Sequence, residues 1–328
     1  MKHLTIVVPE GQDNLSSIIG PYNIFSRANE YRRESGKGDL FTIRLAGISR
    51  KMDFDDGLFS IKPHVDISAI AKTDLIIIPS VDHNSEKAIK GNKVLIDWIV
   101  EQYKNGAAVA SICTGAFVLA SSGLLNGKHC STHWEAAEDF RKMFGSVTLQ
   151  TDRLITDENG IYTNGGAYSF LNLIIYLIEK YYDRQTAIFC SKIFQVEIDR
   201  QSQSAFIIFN GQKTHGDEMV KKAQGHIESK PQEKISITEL SSKFAVSRRQ
   251  FDRRFIRATG NTPLEYAQRV KIEVAKKNLE TTRKTINEIM YEVGYSDVKA
   301  FREVFRKITG LTPLEYKERY NKESVVTI

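Results

Sequence analysis

Hydrophobic and polar positions follow two different rhythms along this chain. In the first two hundred residues, short apolar runs rich in β-branched side chains recur: Leu4 to Val8, Phe41 to Ala46, Leu75 to Ile78, Ala107 to Ile112 and Ile161 to Thr163. Between them, apolar residues keep helical spacing over Leu15 to Asn29, Glu86 to Tyr103, Gly115 to Leu124, His133 to Phe144 and Tyr168 to Tyr181. Short continuous strands alternating with helices predict βαβ units, and so an α/β sandwich of three layers around a mostly parallel sheet. Val147 to Thr156 reads as a β-hairpin insertion.

The last third has only the helical rhythm, and it is written twice. Phe251, Phe255, Gly260, Thr262, Pro263, Leu264, Glu265 and Tyr266 return about 50 residues later as Phe301, Phe305, Gly310, Thr312, Pro313, Leu314, Glu315 and Tyr316. Each copy reads as helix, turn, helix, so an all-α domain of two helix-turn-helix units is expected. Ser247 followed by Gln250 is a capping-box signature, and Ser296 stands at the matching place in the second copy. Gly260, Gly294 and Gly310 end helices, and Pro263 and Pro313 suit a first helical turn. The helix from Pro263 to about Thr281 joins the units, with Lys276 and Lys277 expected in solvent. Between the halves, Arg184 to Gln203 is amphipathic, and the apolar Ser204 to Phe209 is expected to dock on the first domain. The glycine-bearing run from Asn210 to Gly216 is the expected linker. The domains are thus 1–209, a linker at 210–216, and 217–328.

Charge sharpens this division. Residues 1–214 carry 23 Lys and Arg against 24 Asp and Glu, whereas residues 215–328 carry 23 against 16. The excess positive charge lies with the repeat, as a polyanion partner such as nucleic acid requires; a solvated basic face is the plain alternative. On the first copy, Phe251 and Phe255 at i and i+4 face a core and leave Arg248, Arg249, Asp252, Arg253 and Arg257 outside. Arginines on one short helix suit a major groove, where they pair with guanine edges or grip phosphate. Asp252 either accepts from a cytosine amine or orients Arg248 or Arg253. On the second copy, Val298, Lys299, Arg302, Glu303 and Arg306 look outward, a set better suited to phosphate.

Cys113, Cys130 and Cys190 are too few and odd in number for a disulfide framework, which points to a reducing compartment. The opening residues read as a first strand rather than a signal peptide. The run from Phe170 to Ile178 is too short to span a bilayer. A cytoplasmic protein with no membrane partner, no cofactor and no metal is expected. Cys113-Thr114-Gly115 follows the strand Ala107 to Ile112 directly, giving a strand–turn–helix elbow with a thiol at its apex. The helix dipole there favours thiolate, and His133 is a candidate partner base. A buried cysteine packed as a small hydrophobe, with a structural histidine, is the plain alternative.

Two resemblances add to this reading. Cys113 through Ala120, Gly123 through Lys128, and Thr132-His133-Trp134 resemble, in that order, the DJ-1/PfpI domain of GlxA-type transcriptional regulators. That domain shares its elbow with class I glutamine amidotransferases. The resemblance covers roughly residues 4–182 and implies a flavodoxin-like fold. In it Gly20-Pro21 opens the first helix and Asn164-Gly165-Gly166 forms the turn before a late helix. The implied sensor pocket is Cys113, Thr114, Gly115, His133, Gly165 and Gly166. Two departures stand out: Ser17 occupies a position where related enzymes often carry an acid, and Pro79-Ser80-Val81 replaces Pro-Gly-Gly. Both remove parts that a hydratase or hydrolase would use. Residues 219–320 resemble the AraC/XylS DNA-binding domain. The base-facing positions so implied are Arg249, Asp252 and Arg253, then Val298, Lys299, Arg302 and Glu303.

Together these readings describe a non-enzymatic, sequence-specific transcriptional regulator, of the activating kind by family analogy. Its front domain senses an unknown small molecule or a redox signal. Its expected partners are double-stranded DNA with two half-sites per domain, a second copy of the chain, and RNA polymerase. A Cys113-dependent hydrolase or hydratase tethered to DNA is the rival, and a DNA-bundling protein without sequence preference is a third reading.

Overall fold

Successive strand residues point to opposite faces, and in the first two hundred residues both faces are buried. The computed structural model describes residues 1–11, 14–54, 57–82, 85–198, 200–233 and 235–321, so the last seven residues of the expected second domain lie outside the described residues. The strands are β1 (Lys2–Val8), β2 (Phe41–Gly47), β3 (Met52–Phe54), β4 (Phe59–Ile61), β5 (Val65–Asp66), β6 (Leu75–Ile78), β7 (Ala108–Ile112), β8 (His129–Cys130), β9 (Thr148–Leu149), β10 (Ile155–Glu158) and β11 (Ile161–Asn164). Seven form one sheet in the order β10-β11-β7-β6-β1-β2-β5, with only the β10–β11 pair antiparallel. Leu4, Ile6, Leu75, Ile77 and Ile112 enter the core on one face. Val7, Ile76, Ile78 and Val109 enter the core on the other.

The helices of this unit are α1 (Ser16–Glu34), α2 (Ser85–Gly91), α3 (Lys93–Lys104), α4 (Gly115–Ser121), α5 (Ala137–Met143), α6 (Phe170–Tyr181) and α7 (Arg184–Phe194). Phe25 of α1, Leu173 of α6 and Ala187 of α7 cover the first face. Leu95 of α3, Phe117 of α4 and Phe140 of α5 cover the second. The expected three-layer sandwich is therefore present, with four local differences. The stretch read as a hairpin at 147–156 instead splits: β9 pairs in parallel with β8, and the hairpin is β10–β11. The helix read as continuous from Glu86 breaks at Asn92, whose buried amide bonds both the N–H and the carbonyl of Glu10 at 2.8 Å. That pairing fastens the loop after β1 and takes Asn92 out of the helical course. Gly20-Pro21 does not open α1, which starts earlier, at Ser16. The helical part of Arg184 to Gln203 ends at Phe194, with Gln195 left-handed at φ +54.

The chain divides after Gln203, into Met1–Gln203 and Ser204–Ile328. The division expected from the residue pattern lies six residues later, with Ser204 to Phe209 on the first domain. Instead the Phe209 ring packs edge-on to Tyr266 at 5.1 Å. The Ile207 carbonyl accepts from Lys276 Nζ at 2.6 Å. Lys276 is accordingly buried rather than solvated, while Lys277 is exposed. The run read as a linker is also tied into the second unit: the Gln212 carbonyl accepts from Gln224, and Lys213 pairs with Glu228.

The second unit contains α8 (Glu218–Ser229), α9 (Ile237–Lys243), α10 (Arg248–Thr259), α11 (Pro263–Thr281), α12 (Ile286–Glu292), α13 (Val298–Thr309) and α14 (Pro313–Tyr320). It has two cores, one around Phe251, Phe255 and Tyr266, the other around Phe301, Phe305 and Tyr316. Helix α11 serves both: Tyr266, Ala267 and Val270 enter the first, Ile272, Ala275 and Leu279 the second. The duplication extends to ring geometry and hydrogen bonds. Phe255 meets Tyr266 edge-on at 5.3 Å and Phe305 meets Tyr316 at 5.5 Å. Tyr266 donates to Glu228 and Tyr316 to Glu280, at 2.5 and 2.6 Å. Gly260 and Gly310 are left-handed caps at φ +70 and +77. Thr262 with Glu265 and Thr312 with Glu315 close capping boxes behind Pro263 and Pro313. One expected cap is displaced: α13 is capped by Asp297, which accepts from the Ala300 amide at 2.8 Å, not by Ser296. Among the described residues no helix is long and apolar enough to cross a membrane.

Candidate functional site

The elbow residue Cys113 follows β7 directly and takes φ +54, a left-handed value that a residue with a Cβ adopts at a cost. Such strain is about 1–3 kcal/mol and persists only where neighbours fix it. Hydrogen bonds at both its amide and its carbonyl do so here. The Cys113 amide donates to the Asn164 carbonyl at 3.0 Å, and its carbonyl accepts from Thr132 Oγ1 at 2.9 Å. Gly115, next in α4, lies so close to the Pro79 carbonyl that any Cβ would collide with it. The carboxyl ends of β7 and β11 therefore meet the His133 loop at one point, where ligands of parallel sheets collect. Of the expected pocket residues, Cys113, Thr114 and Gly115 form the elbow. Gly165 and Gly166 follow the Asn164 that holds it, and His133 follows the Thr132 that holds it from the other side.

His133 itself caps a 3-10 turn, its Nδ1 accepting from the Glu135 amide at 3.2 Å. Its ring lies against Trp134 at 5.4 Å. Gly166 is left-handed at φ +91, and the Ser169 hydroxyl closes the turn onto the Gly165 carbonyl at 2.5 Å. Gln203 was not singled out by sequence. Its amide is buried against this turn and donates to the Thr132 carbonyl at 3.0 Å.

The departures noted in the sequence have a structural counterpart. An oxyanion site needs backbone amides aimed at open space. Here the Val81 amide donates to Thr114 Oγ1 at 2.9 Å, and the Ser80 amide points to Ser17 Oγ at 3.2 Å. Ser17 is fully buried and sits beside the Ser80 hydroxyl, where a carboxylate would need room and a proton partner. Both amides after Pro79 are therefore taken by side chains. The remaining thiols are unsuited to chemistry. Burial pushes Cys130 up to about 12 and Cys190 up to about 11, and both are fully enclosed. No disulfide joins the three cysteines.

In the second unit, the aromatic pairs that anchor α10 and α13 set which side chains face outward. Arg248, Arg249, Arg253 and Arg257 are exposed on α10, with Asp252 half-buried among them. Asp252 Oδ2 lies 3.8 Å from Arg248 Nε, one helical turn back, so of Arg248 and Arg253 it is Arg248 that stands within ion-pair reach of it. On α13, Lys299, Arg302, Glu303 and Arg306 are exposed. Val298 departs from the expected outward set: it is half-buried and packs on the second core. Arg254 belongs to neither group, because its Nε and Nη2 both donate to Asp217. Position explains this: Arg254 is three residues after Phe251, and so on the inward side of α10.

Comparison with known proteins follows the same two-part division. The DJ-1/PfpI family matches residues 16–180, half of the chain. A helix-turn-helix domain matches residues 240–319. The HTH-type transcriptional regulator GbdR of Pseudomonas aeruginosa is 25% identical over 217 residues, 66% of this chain and 59% of that protein. The HTH-type transcriptional regulator GlxA of Rhizobium meliloti is 26% identical over 211 residues, 62% of this chain and 63% of that one. The chain thus spans less than two thirds of the length of either relative. An AraC family transcriptional regulator from Pseudomonas putida, at 15% identity and a TM-score of 0.51, shares the fold over 59% of this chain and all of its own. With its cysteine elbow in place and its duplicated helical unit behind it, the chain belongs to the DJ-1/PfpI family and carries a helix-turn-helix domain.

Proposed function

We propose that this protein is a sequence-specific DNA-binding transcriptional regulator whose elbow domain senses a small molecule or an oxidant at Cys113. One observation carries the reading: α10 and α13 stand on matching aromatic cores of one unit and each turns basic side chains outward. Helix α11 contributes to both cores and so couples the two helices. Its 19 residues extend about 28 Å at 1.5 Å per residue. That length suits two reading helices entering successive major grooves, about 34 Å apart on one duplex face. Arg249, Arg253 and the Arg248–Asp252 pair are assigned to base edges, Lys299, Arg302 and Arg306 chiefly to phosphate. Each chain then meets two half-sites, and a homodimer meets two pairs. Contact with RNA polymerase and a cytoplasmic location complete the reading.

The elbow supports sensing rather than turnover. Its strained cysteine is held by hydrogen bonds at its amide and its carbonyl, while the amides that would stabilise an oxyanion are committed to Thr114 and Ser17. Selection of DNA by the purified full chain from a random pool tests the regulator reading. Enrichment of a bipartite sequence is expected, and recovery of no preferred sequence at moderate salt refutes it. Peroxide treatment followed by mass mapping tests the sensing site. Oxidation at Cys113 with Cys130 and Cys190 spared is the expected pattern; a Cys113 inert to peroxide and to electrophiles removes the redox arm.

A further inference from the structure

A separate cleft of about 320 Å³ lies along edge strand β10, and none of the elbow residues lines it. That volume is at the small end of ligand pockets, which run to about 300–1,000 Å³. Its apolar lining is Ile155 of β10, Ile175 of α6 and Ile198; Arg153, Arg184 and Arg200 supply positive charge. Among the described residues two acids also line it, and both are satisfied within the chain. Glu179 accepts from Arg184 at 2.6 Å. Asp157 accepts from Tyr176 at 2.6 Å and from Lys180 at 2.5 Å. Among the described residues, the Arg153 guanidinium makes no hydrogen bond or ion pair. Among the described lining residues the unmatched charge is therefore that of Arg153, and it borders an apolar surface.

One wall of the cleft is the segment that leaves the elbow domain. Ile198, Arg200 and Gln201 belong to it. Just beyond, it is fastened to the sheet edge: the Leu154 amide donates to Gln201 and the Gln203 amide to Asp152, each at 3.0 Å. We propose that this cleft is a second ligand site, for a small organic carboxylate with a short unbranched apolar body. The carboxylate meets the planar fork of Arg153, a geometry that matches it with two hydrogen bonds. The apolar body lies on Ile155, Ile175 and Ile198, so the ligand ties the exit segment to β10 and α6.

The test uses the full chain with hexanoate as probe, and hexan-1-ol and hexylamine as controls of equal apolar length. Calorimetry is expected to show saturable binding of hexanoate alone. Arg153→Met should weaken it about tenfold or more, the loss of a charge-assisted hydrogen-bonded pair, whereas Cys113→Ser should leave it unchanged. In the unmodified protein, hexanoate should also slow amide exchange at Leu154 and Gln203, a readout that needs no variant. Absence of saturable binding overturns the proposal, as does equal binding of hexan-1-ol or hexylamine, which marks an unselective apolar surface. Binding lost in Cys113→Ser but kept in Arg153→Met also overturns it, by moving the ligand to the elbow. None of these readouts involves DNA, so the outcome is separable from the regulator reading.

Discussion

The Arg254 guanidinium holds the Asp217 carboxylate with two hydrogen bonds, Nε to Oδ2 at 2.8 Å and Nη2 to Oδ1 at 2.6 Å. Asp217 is the cap of α8, accepting from the Val220 amide at 3.2 Å, so this pair ties α8 to α10. Its neighbour Arg253 is exposed and makes no such bond. Adjacent arginines on one helix thus have opposite duties, and alanine at each should separate them. Arg253→Ala is expected to weaken and relax binding to the selected DNA by about 1–3 kcal/mol while leaving the melting midpoint in place. Arg254→Ala should lower the midpoint of the second unit and leave its sequence preference intact. Mobility shifts on matched and scrambled DNA, beside thermal melts, distinguish the two.

The same pair gives the second unit a pH dependence. The Arg254 guanidinium holds the Asp217 carboxyl below its ordinary value of 3.8, with the Val220 amide adding to the effect. A carboxyl with a depressed folded pKa binds fewer protons folded than unfolded. Its stabilisation is therefore whole above the ordinary carboxylate range and fades as pH falls through the depressed pKa. Asp217→Asn should lower stability at neutral pH, and the gap from the unmodified protein should close as pH drops below about 4. Denaturant midpoints at a series of pH values check this. A gap that stays constant down to the acid limit would show that capping geometry, not charge, is what Asp217 supplies.

Much of this was readable from residue order because it depends on local chemistry. The repeated Gly-x-Thr-Pro-x-Glu-Tyr encodes a left-handed cap, a proline-led helix and a capping box, all decided within eight residues. The strand–elbow–helix around Cys113 is equally local. What escaped depends on partners distant in sequence. Lys276 looks solvated on a charged helix, yet its ammonium serves a carbonyl 69 residues away. Asn92 interrupts a helical pattern because Glu10 needs its amide. Val298 has the spacing of an outward residue, but the second core reaches the first turn of α13 and half-buries it. Ser296 and Asp297 are both good caps, and sequence alone had no basis for choosing the latter.

Two left-handed glycines at different turns of the second unit have different surroundings, and substitution should reveal it. Gly260 is left-handed at φ +70 with open space where a Cβ would stand. Gly260→Ala should therefore cost only the backbone strain, about 1–2 kcal/mol. Gly294 is left-handed at φ +75, and a Cβ there would run into the Gln232 carbonyl and the Lys271 ammonium. That ammonium is buried and donates to the Val293 carbonyl at 2.9 Å, so it has little room to move aside. Gly294→Ala should cost clearly more than Gly260→Ala and weaken the second core selectively. Hydrogen exchange in α12 and α13 against that in α9 and α10 measures both. Equal losses for the two variants would mean that the Gly294 turn relaxes without disturbing Lys271.

At the elbow, Thr114 Oγ1 both accepts from the Val81 amide at 2.9 Å and donates to the Val81 carbonyl at 2.6 Å. Val81 and Thr114 are both buried, so neither backbone group can turn to water when the hydroxyl is lost. Thr114→Val keeps the shape and removes the partner of two groups at once; an orphaned buried donor or acceptor costs about 1–3 kcal/mol. Thr114→Ser keeps the hydroxyl and should lose far less. Both tryptophans of the chain, Trp98 and Trp134, lie in the elbow-bearing unit, so their fluorescence during urea unfolding reports that unit alone. A midpoint lowered in Thr114→Val and nearly restored in Thr114→Ser is the expected result. If the valine variant were as stable as the original, the Val81 amide would have to find another acceptor. It would then be available to a ligand oxyanion, and the case for a sensing rather than a catalytic elbow would lose one of its two supports.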